Sequence, residues 1–354
     1  RYRNKAQYPV SRAKNGRIIA GFYAGHTHSV IGCADCLIGA ETDGAILRIV
    51  TGFMEKYGIE PYDEETRRGL IRHVLIRTSR AFGEILVCLV INGDSMKCAD
   101  KLVEALVTAV PEVSTVCLNI NKENTNVILG DTVKCLFGSG YITDTIGGVS
   151  FRISPQSFFQ VNPVQVEKLY GKALEYAGLT GGETVWDLYC GVGTISLFMA
   201  RHAGRVFGVE VVPQAIENAK ENAALSGLAD APIRYIVDDC KKFVEREIRR
   251  GNRYDAVIMD PPSYGRGPKG EMWKLEENID ELVRLTVSVL TEKPLFFLIN
   301  SYTPGLSPSA VAYILREEML PRFGGNVSAD EIGLSVLQTG GVLPCGSSAR
   351  WENK

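Results

Sequence analysis

The stretch "DLYCGVGTISL" (187–197) sets Gly191 and Gly193 between a strand-like run and a helix-like one, with Thr194 opening the helix. Glu210 ends the next apolar run, 19 residues after Gly191. Glycines at such a turn let the backbone approach a ligand, and an acid at that distance can accept hydrogen bonds from ribose hydroxyls. A dinucleotide fingerprint carries a third glycine, which would fall at 196, where the chain has Ser. A pyrophosphate site is therefore less favoured. Asp187, four residues before the first glycine, suits an ammonium group. Asp238 and Asp239 end a third strand near where an adenine amine would lie, and Asp260 ends a fourth in "VIMDPPSYGRGPKG". Each acid taken singly reads as a strand-end cap or turn former. Four strand ends in succession suit a cationic nucleoside, and S-adenosylmethionine fits them better than NAD.

The elements that must hold these residues are legible as hydrophobic periods. From about residue 164, helix-like and strand-like runs alternate: "PVQVEKLYGKALEYAG", "TVWDLY", "TISLFMARHA", "RVFGVE", "QAIENAKENAALSG", "IRYIVDD", "KKFVEREIRR", "YDAVIMD", "ENIDELVRLTVSVL", "PLFFLIN" and "SPSAVAYILREEM". This alternation predicts a parallel sheet with helices on both faces and a ligand at the carboxyl ends of its strands. "DPPSYGRGPKG" reads as a polar loop after the fourth strand. The first 150 residues lack the alternation. "RHVLIRTS" and "EILVCLVIN", joined by "RAFG", predict an antiparallel hairpin, "CADKLVEALVTAV" a helix, and "VSTVCLNIN", "VKCLFG" and "VSFRIS" further strands. The expected fold is α/β, a Rossmann-like parallel sheet over residues 151–354, preceded by a smaller α+β domain over 1–150.

Composition sets the outer bounds. With 45% hydrophobic and 23% charged residues among 354, the chain can bury a full core. No apolar run reaches the roughly 20 residues a bilayer crossing needs, so no membrane partner is expected and a cytoplasmic monomer is the default. The nine cysteines are scattered, mostly in apolar runs, which argues against a disulfide framework. Cys33 and Cys36, with His26 and His28 nearby, are too few for a self-contained zinc site, and no metal ligands are assigned. Net charge is only −2, yet residues 1–34 hold six basic residues (Arg1, Arg3, Lys5, Arg12, Lys14, Arg17) and no acid. A second cluster, Arg67, Arg68, Arg72, Arg77 and Arg80, follows "YDEE". Such clusters read as solvated faces or as a surface for a polyanion.

Over residues 1 to about 220 the chain resembles the S-adenosylmethionine-dependent RNA uracil-C5 methyltransferases. The matching stretches are "YRNKAQYPV", "GFYAGHTHSVIGCADCLIG", "NTNVILGD", "FRISPQSFFQVNPVQVEKLY", "DLYCGVGTISL" and "GVEVVPQAI". The resemblance implies a class I methyltransferase fold, with Gln160, Tyr189, Glu210 and an acid at 238 or 239 on the cofactor. It also implies that residues 1–150 help grip ribosomal or transfer RNA. The family pattern places an N-terminal barrel and cluster cysteines upstream of "RYRNK". Cys36 matches only the last cluster ligand, so an intact iron–sulfur cluster is not expected in this chain.

The catalytic stretch departs from that pattern. Uracil C5 is a weak nucleophile, so the family adds a Cys thiolate to C6, lets C5 attack the methyl group and removes the C5 proton with a base. The family motif is Asp-Pro-Pro-Arg-x-Gly-Cys, and here the run is Asp260, Pro261, Pro262, Ser263, Tyr264, Gly265, Arg266. Arg266 stands in the nucleophile's place, and Cys190 and Cys345 read as structural. From about residue 221, "DAVIMDPPSYGRGPKGEMWKLEE", "NSYTPGLS" and "LPCGSSARW" resemble a different branch, akin to ribosomal RNA cytosine-C5 enzymes. Those use a Cys after the fifth strand, where Asn300 and Ser301 stand. A composite chain joined near residues 215–225 is the expectation. Two chemistries follow: uracil C5 methylation by resemblance, or transfer to an exocyclic amine or to cytosine. For an amine, Asp260 and a proline carbonyl would accept hydrogen bonds while Tyr264 or Phe158 stacks on the base. A silent protein that binds RNA or S-adenosylmethionine is the alternative class.

Overall fold

The computed structural model describes residues 1–25, 27–124, 127–266, 272–303, 305–336 and 341–353, without the side chains of 266, 333–336 and 341–345. His26 lies outside these residues. The chain forms two compact units, Arg1–Val166 and Glu167–Lys354.

The first unit contains β1 (Lys5–Arg12), β2 (Ile18–Tyr23), β3 (Val30–Gly32), α1 (Asp43–Tyr57), β4 (Ile71–Thr78), β5 (Ile85–Ile91), α2 (Ala99–Ala109), β6 (Val113–Ile120), β7 (Thr132–Phe137), β8 (Ile142–Ile146) and β9 (Val149–Ile153). Its main sheet runs β3-β2-β1-β4-β5-β6-β7, and β8 and β9 form a separate hairpin. The β4–β5 hairpin predicted from "RHVLIRTSRAFGEILVCLVIN" is antiparallel, with Leu75 opposite Cys88. Strand β5 is seven apolar residues, all buried, as expected of a strand covered on both faces. It pairs parallel with β6, which requires the α2 crossover. Helix α1 is absent from the pattern reading, although Ile46, Val50, Phe53 and Met54 recur at helical spacing and are buried. It ends on Gly58 at φ 59°, the left-handed conformation glycine adopts without strain.

The second unit opens within α3 (Pro163–Ala177) and continues through β10 (Thr184–Leu188), α4 (Thr194–Met199), β11 (Arg205–Glu210), α5 (Pro213–Leu225), β12 (Ile233–Val237), α6 (Cys240–Arg250) and β13 (Ala256–Met259). There follow β14 (Tyr264–Arg266), β15 (Met272–Lys274), α7 (Leu275–Val287), β16 (Phe296–Ser301), α8 (Pro308–Phe323), β17 (Asn326–Val336) and β18 (Gly341–Glu352). The sheet order is β12-β11-β10-β13-β16-β18-β17. Its first five strands are parallel, as the alternation predicts. Of the last two, β18 runs antiparallel to both β16 and β17, so β17 at the edge points the same way as the five. The reason is local, since α8 crosses over to β17 and no helix separates β17 from β18, which lies between β16 and β17. The polar stretch after Asp260 likewise begins as a strand, with Gly265 opposite Trp273 in the β14–β15 hairpin.

Alternation along β10, β13 and β16 divides the sheet into two faces. Trp186, Leu188, Val257, Met259, Phe297 and Ile299 pack against Phe243 and Val244 of α6, Ile279 and Leu282 of α7 and Leu315 of α8. Each such side chain contributes about 1.5–3 kcal/mol by leaving water. The opposite face carries Asp187, and there Ser196 of α4 reaches the sheet.

Candidate active site

The strand order reverses between β10 and β13, where crossovers lead away to either side and leave a crevice at the carboxyl ends. Register places polar groups there on one face. Asp187 is level with Ile258, and Ile258 with Leu298. Two residues on, Asp260 and Asn300 project to the same side as Asp187, because side chains repeat every second residue.

Asp187 is fully buried. Its Oδ2 accepts from Ser196 Oγ at 2.6 Å, and its Oδ1 has no partner among the described residues. Burial pushes this carboxyl up to about 7, against the Ser196 hydrogen bond, and the nearby Asp260 raises it further. Asp260 Oδ1 is also buried without a partner, and burial pushes that carboxyl up to about 6. An unsatisfied buried polar group costs on the order of 1–3 kcal/mol, more when charged. Two on one strand edge therefore mark positions that a ligand would satisfy.

The loop between them and α4 is shaped for close approach. Tyr189 takes φ 66°, a strained left-handed conformation for a bulky residue, and Gly191 and Gly193 follow at φ 53° and 80°. A Cβ on Gly191 would meet nothing within 4 Å, so this part of the loop faces open space. A Cβ on Gly193 would stand 2.5 Å from Tyr235 Oη, so the glycine there is required by packing. Thr194 begins α4. Glu210 ties the loop down: its Oε2 accepts from Gly191 N at 3.2 Å and its Oε1 from Val212 N at 2.9 Å. Each oxygen keeps a second lone pair for a hydroxyl.

The acids that end β12 are more fully engaged. Asp238 Oδ2 accepts from Arg246, and its Oδ1 accepts from Asp239 N at 2.9 Å. Asp239 is the N-cap of α6, its Oδ1 accepting from Lys242 N at 3.0 Å. Beyond Asp260, Pro262 O accepts from Trp273 Nε1 at 3.2 Å, and Ser263 O accepts from Leu275 N at 3.0 Å. These bonds anchor the β14–β15 hairpin beside the acid, and Tyr264 on it is 78% exposed. Arg266 ends β14, but its side chain and that of Cys345 lie outside the described residues. Cys190 and Cys240 are buried, and burial raises both thiols well above their usual range.

The remaining sequence-predicted residues fall in the first unit. Gln160 O accepts from Asn4 Nδ2 at 3.0 Å. Phe158 is 69% exposed, whereas Phe159 is buried against Phe151 with ring centroids 5.6 Å apart. The basic clusters divide. Arg72 and Arg77 are buried structural clamps: Arg72 donates to Asn121 O and Glu123 O, and Arg77 to Pro155 O and Ser157 O. Arg1 pairs with Asp35 and Arg12 with Glu60 on the surface. Among the described residues, no three His, Cys, Asp or Glu side chains gather as metal ligands, and no helix is long and apolar enough to cross a membrane.

Sequence reasoning noted Asn300 only as the occupant of a missing cysteine's place. It is 1% exposed, and its Oδ1 has no partner among the described residues. Thr303, in the turn after β16, is 8% exposed with Oγ1 in the same state. The period of "AVIMD" set beside "FFLIN" was the signal that could have aligned Asn300 with Asp260.

Comparison with known proteins agrees with this architecture. Residues 175–266 match the family model of the TRM5/TYW2 methyltransferase domain. An uncharacterized RNA methyltransferase of Halalkalibacterium halodurans is 46% identical over 265 residues, 75% of this chain and 57% of that protein. One of Bacillus cereus is 43% identical over 264 residues, with 75% and 57% covered. The chain thus spans a little over half the length of the curated relatives it matches. Among solved structures, the Pyrococcus abyssi tRNA (uracil-54, C5)-methyltransferase in complex with S-adenosyl-L-homocysteine superposes with a TM-score of 0.69 at 19% identity, covering 99% of this chain and 76% of that one. A SAM-dependent methyltransferase from Agrobacterium tumefaciens gives 0.57 at 25% identity, covering 79% and 88%. The second unit has the Rossmann-like fold of class I methyltransferases.

Proposed function

We propose that the chain is an S-adenosylmethionine-dependent RNA methyltransferase. The observation that carries this reading is the pair of buried carboxyl oxygens, Asp187 Oδ1 and Asp260 Oδ1, without partners among the described residues at the strand-order reversal of a methyltransferase sheet. These acceptors suit a cationic nucleoside: Asp187 would hold the ammonium group, Glu210 the ribose hydroxyls, and Gly191, Gly193 and Thr194 the loop around them. Tyr189, Gln160 and one acid of the pair Asp238 and Asp239 complete the set implied by family resemblance. When bound, the cofactor supplies a methyl group on a sulfonium centre. The protein's own part is to orient that group, exclude water, and hold the target base against it through Asp260.

Within this reading, uracil C5 methylation follows from the resemblance over residues 1–220, with residues 1–150 gripping ribosomal or transfer RNA. A second chemistry, transfer to an exocyclic amine, is favoured by the state of the thiols, because an amine nitrogen can take the methyl group without a thiol adduct on the ring. Arg266 occupies the family nucleophile's position, and the two described cysteines near the loop, Cys190 and Cys240, are buried with raised thiols that do not supply a ready thiolate. Two ancestries joined near 215–225 remain part of the proposal, and α5 runs unbroken through that interval. The expected setting is a cytoplasmic monomer.

Calorimetry with S-adenosylmethionine, followed by methyl transfer to undermodified total RNA and nucleoside mass spectrometry, tests the reading. Binding and incorporation together support it, and binding without incorporation leaves a silent cofactor-binding protein. 5-Methyluridine would favour the first chemistry, and a methylated amine or cytidine the second.

A further inference from the structure

Three buried oxygens lie in sequence at the ends of β13 and β16, and the proposed hold on the target base uses only one of them, that of Asp260. Asp260 Oδ1, Asn300 Oδ1 and Thr303 Oγ1 have no hydrogen-bond partner among the described residues. The neighbouring hydroxyl, Ser301 Oγ, is already engaged, accepting from Thr303 N at 3.2 Å. Met259 pairs with Ile299, so Asp260 and Asn300 are the residues that follow the last pair of β13 and β16, and strand alternation sets both toward the Asp187 face. Adjacent strands lie about 4.8 Å apart.

That spacing has a chemical counterpart. An sp² amine points two N–H bonds about 120° apart, and acceptors about 2.9 Å from its nitrogen would then stand about 5 Å from each other. Cytosine, adenine and guanine each carry such an amine. Uracil presents a single N–H between two carbonyl acceptors, which would face the Asp260 and Asn300 oxygens acceptor to acceptor. A hydroxyl such as Thr303 Oγ1 can serve as donor or acceptor and so completes either edge.

We infer that Asn300, beside Asp260, is a specificity-determining residue that accepts a hydrogen bond from the exocyclic amine of the target base, so that the substrate is an amino-bearing nucleobase and not uracil. The inference rests on the reading of the chain as a methyltransferase and names the substrate class of that same site. Asn300 is a base-reading residue and has no part in holding the cofactor, whereas Thr303 supports it from the following turn.

The test uses the full chain with S-adenosylmethionine and undermodified total RNA, with nucleosides identified by mass spectrometry. A methylated cytidine, adenosine or guanosine is expected. Asn300→Ala should lower kcat/KM for RNA at least tenfold while the dissociation constant for S-adenosylmethionine, read by calorimetry, stays within twofold. Thr303→Val should show a smaller loss of the same kind. Asn300→Asp, isosteric and still an acceptor, should recover part of the rate, and serves as the second variant if the alanine form melts early. 5-Methyluridine as the product overturns the inference and leaves the methyltransferase reading intact, as does an alanine variant as fast as the parent. Cofactor binding that collapses in the folded Asn300→Ala protein overturns it by placing the residue on the cofactor. A parent chain that neither binds S-adenosylmethionine nor methylates RNA overturns the underlying reading and the inference with it.

Discussion

The two sides of the second sheet's carboxyl edge differ in how their acids are used. On the β11–β12 side, Glu210 braces the glycine loop, Asp238 holds Arg246, and Asp239 caps α6. Across the reversal, Asp260 and Asn300 each keep a buried oxygen without a partner among the described residues, and Asp187 stands between the two sides with one oxygen bound and one open among them. An acid that is already hydrogen-bonded stabilises the protein and can add a ligand bond through a remaining lone pair. A buried one without a partner destabilises the ligand-free protein and gains most when a ligand arrives. The difference separates a side built for architecture and loose hydroxyl contacts from a side poised for tight polar recognition.

The largest effect should come from the open side. Asp260→Ala is expected to lower the single-turnover rate of methyl transfer by about 10²–10³, the range seen when one preorganised polar group is lost from a reacting centre. A rate within threefold of the parent would break the contrast between the sides. Next, Asp187→Asn removes the charge proposed to hold the ammonium group and should weaken S-adenosylmethionine binding about 10- to 100-fold by calorimetry, because a hydrogen bond to a charged group is worth about 1.5–3 kcal/mol.

The open acids also set a pH dependence with two opposed signs. Asp187 and Asp260 sit at about 7 and about 6 in the folded chain, above the ordinary 3.8. Between about pH 4 and 7 the folded chain keeps protons that the unfolded chain has released, so the stability these groups contribute is lost as pH rises through that window. A cationic ligand prefers the ionised forms, so its affinity should rise over the same window. Melting temperatures and calorimetric titrations at pH 5, 6, 7 and 8 check both signs, and parallel trends would refute the account. The smallest effect belongs to the engaged side. Asp239→Ala removes a helix cap and should cost about 1 kcal/mol, or roughly 2–4 °C in melting temperature, with cofactor affinity within threefold. A loss of affinity near that of Asp187→Asn would show that the cap also holds ligand.

Much of this was readable before any coordinates. The alternation from residue 164 predicted the five parallel strands, and Asp187, Glu210 and Asp260 stood out because each acid closes an apolar run before a turn. Other features were not readable, because they depend on which groups meet across the chain. Arg72 and Arg77 looked like part of a charged face, yet carbonyls distant in sequence, such as Asn121 O and Ser157 O, draw both guanidinium groups inside. The β17–β18 pair was not readable because the antiparallel return of β18 between β16 and β17 has no crossover helix to announce it.

By itself the sequence determined the five parallel strands and their crossover helices, the glycine loop after β10 and the placement of an acid at each of four strand ends, since hydrophobic period and turn chemistry are local properties of the chain. Only the tertiary structure decided which of those acids are already satisfied and which remain open, and that Asn300 joins Asp260 on one face. Hydrogen-bond satisfaction depends on partners far apart in sequence, such as Arg246 for Asp238 or Ser196 for Asp187. It also depends on strand register, which exists only once β10, β13 and β16 lie side by side.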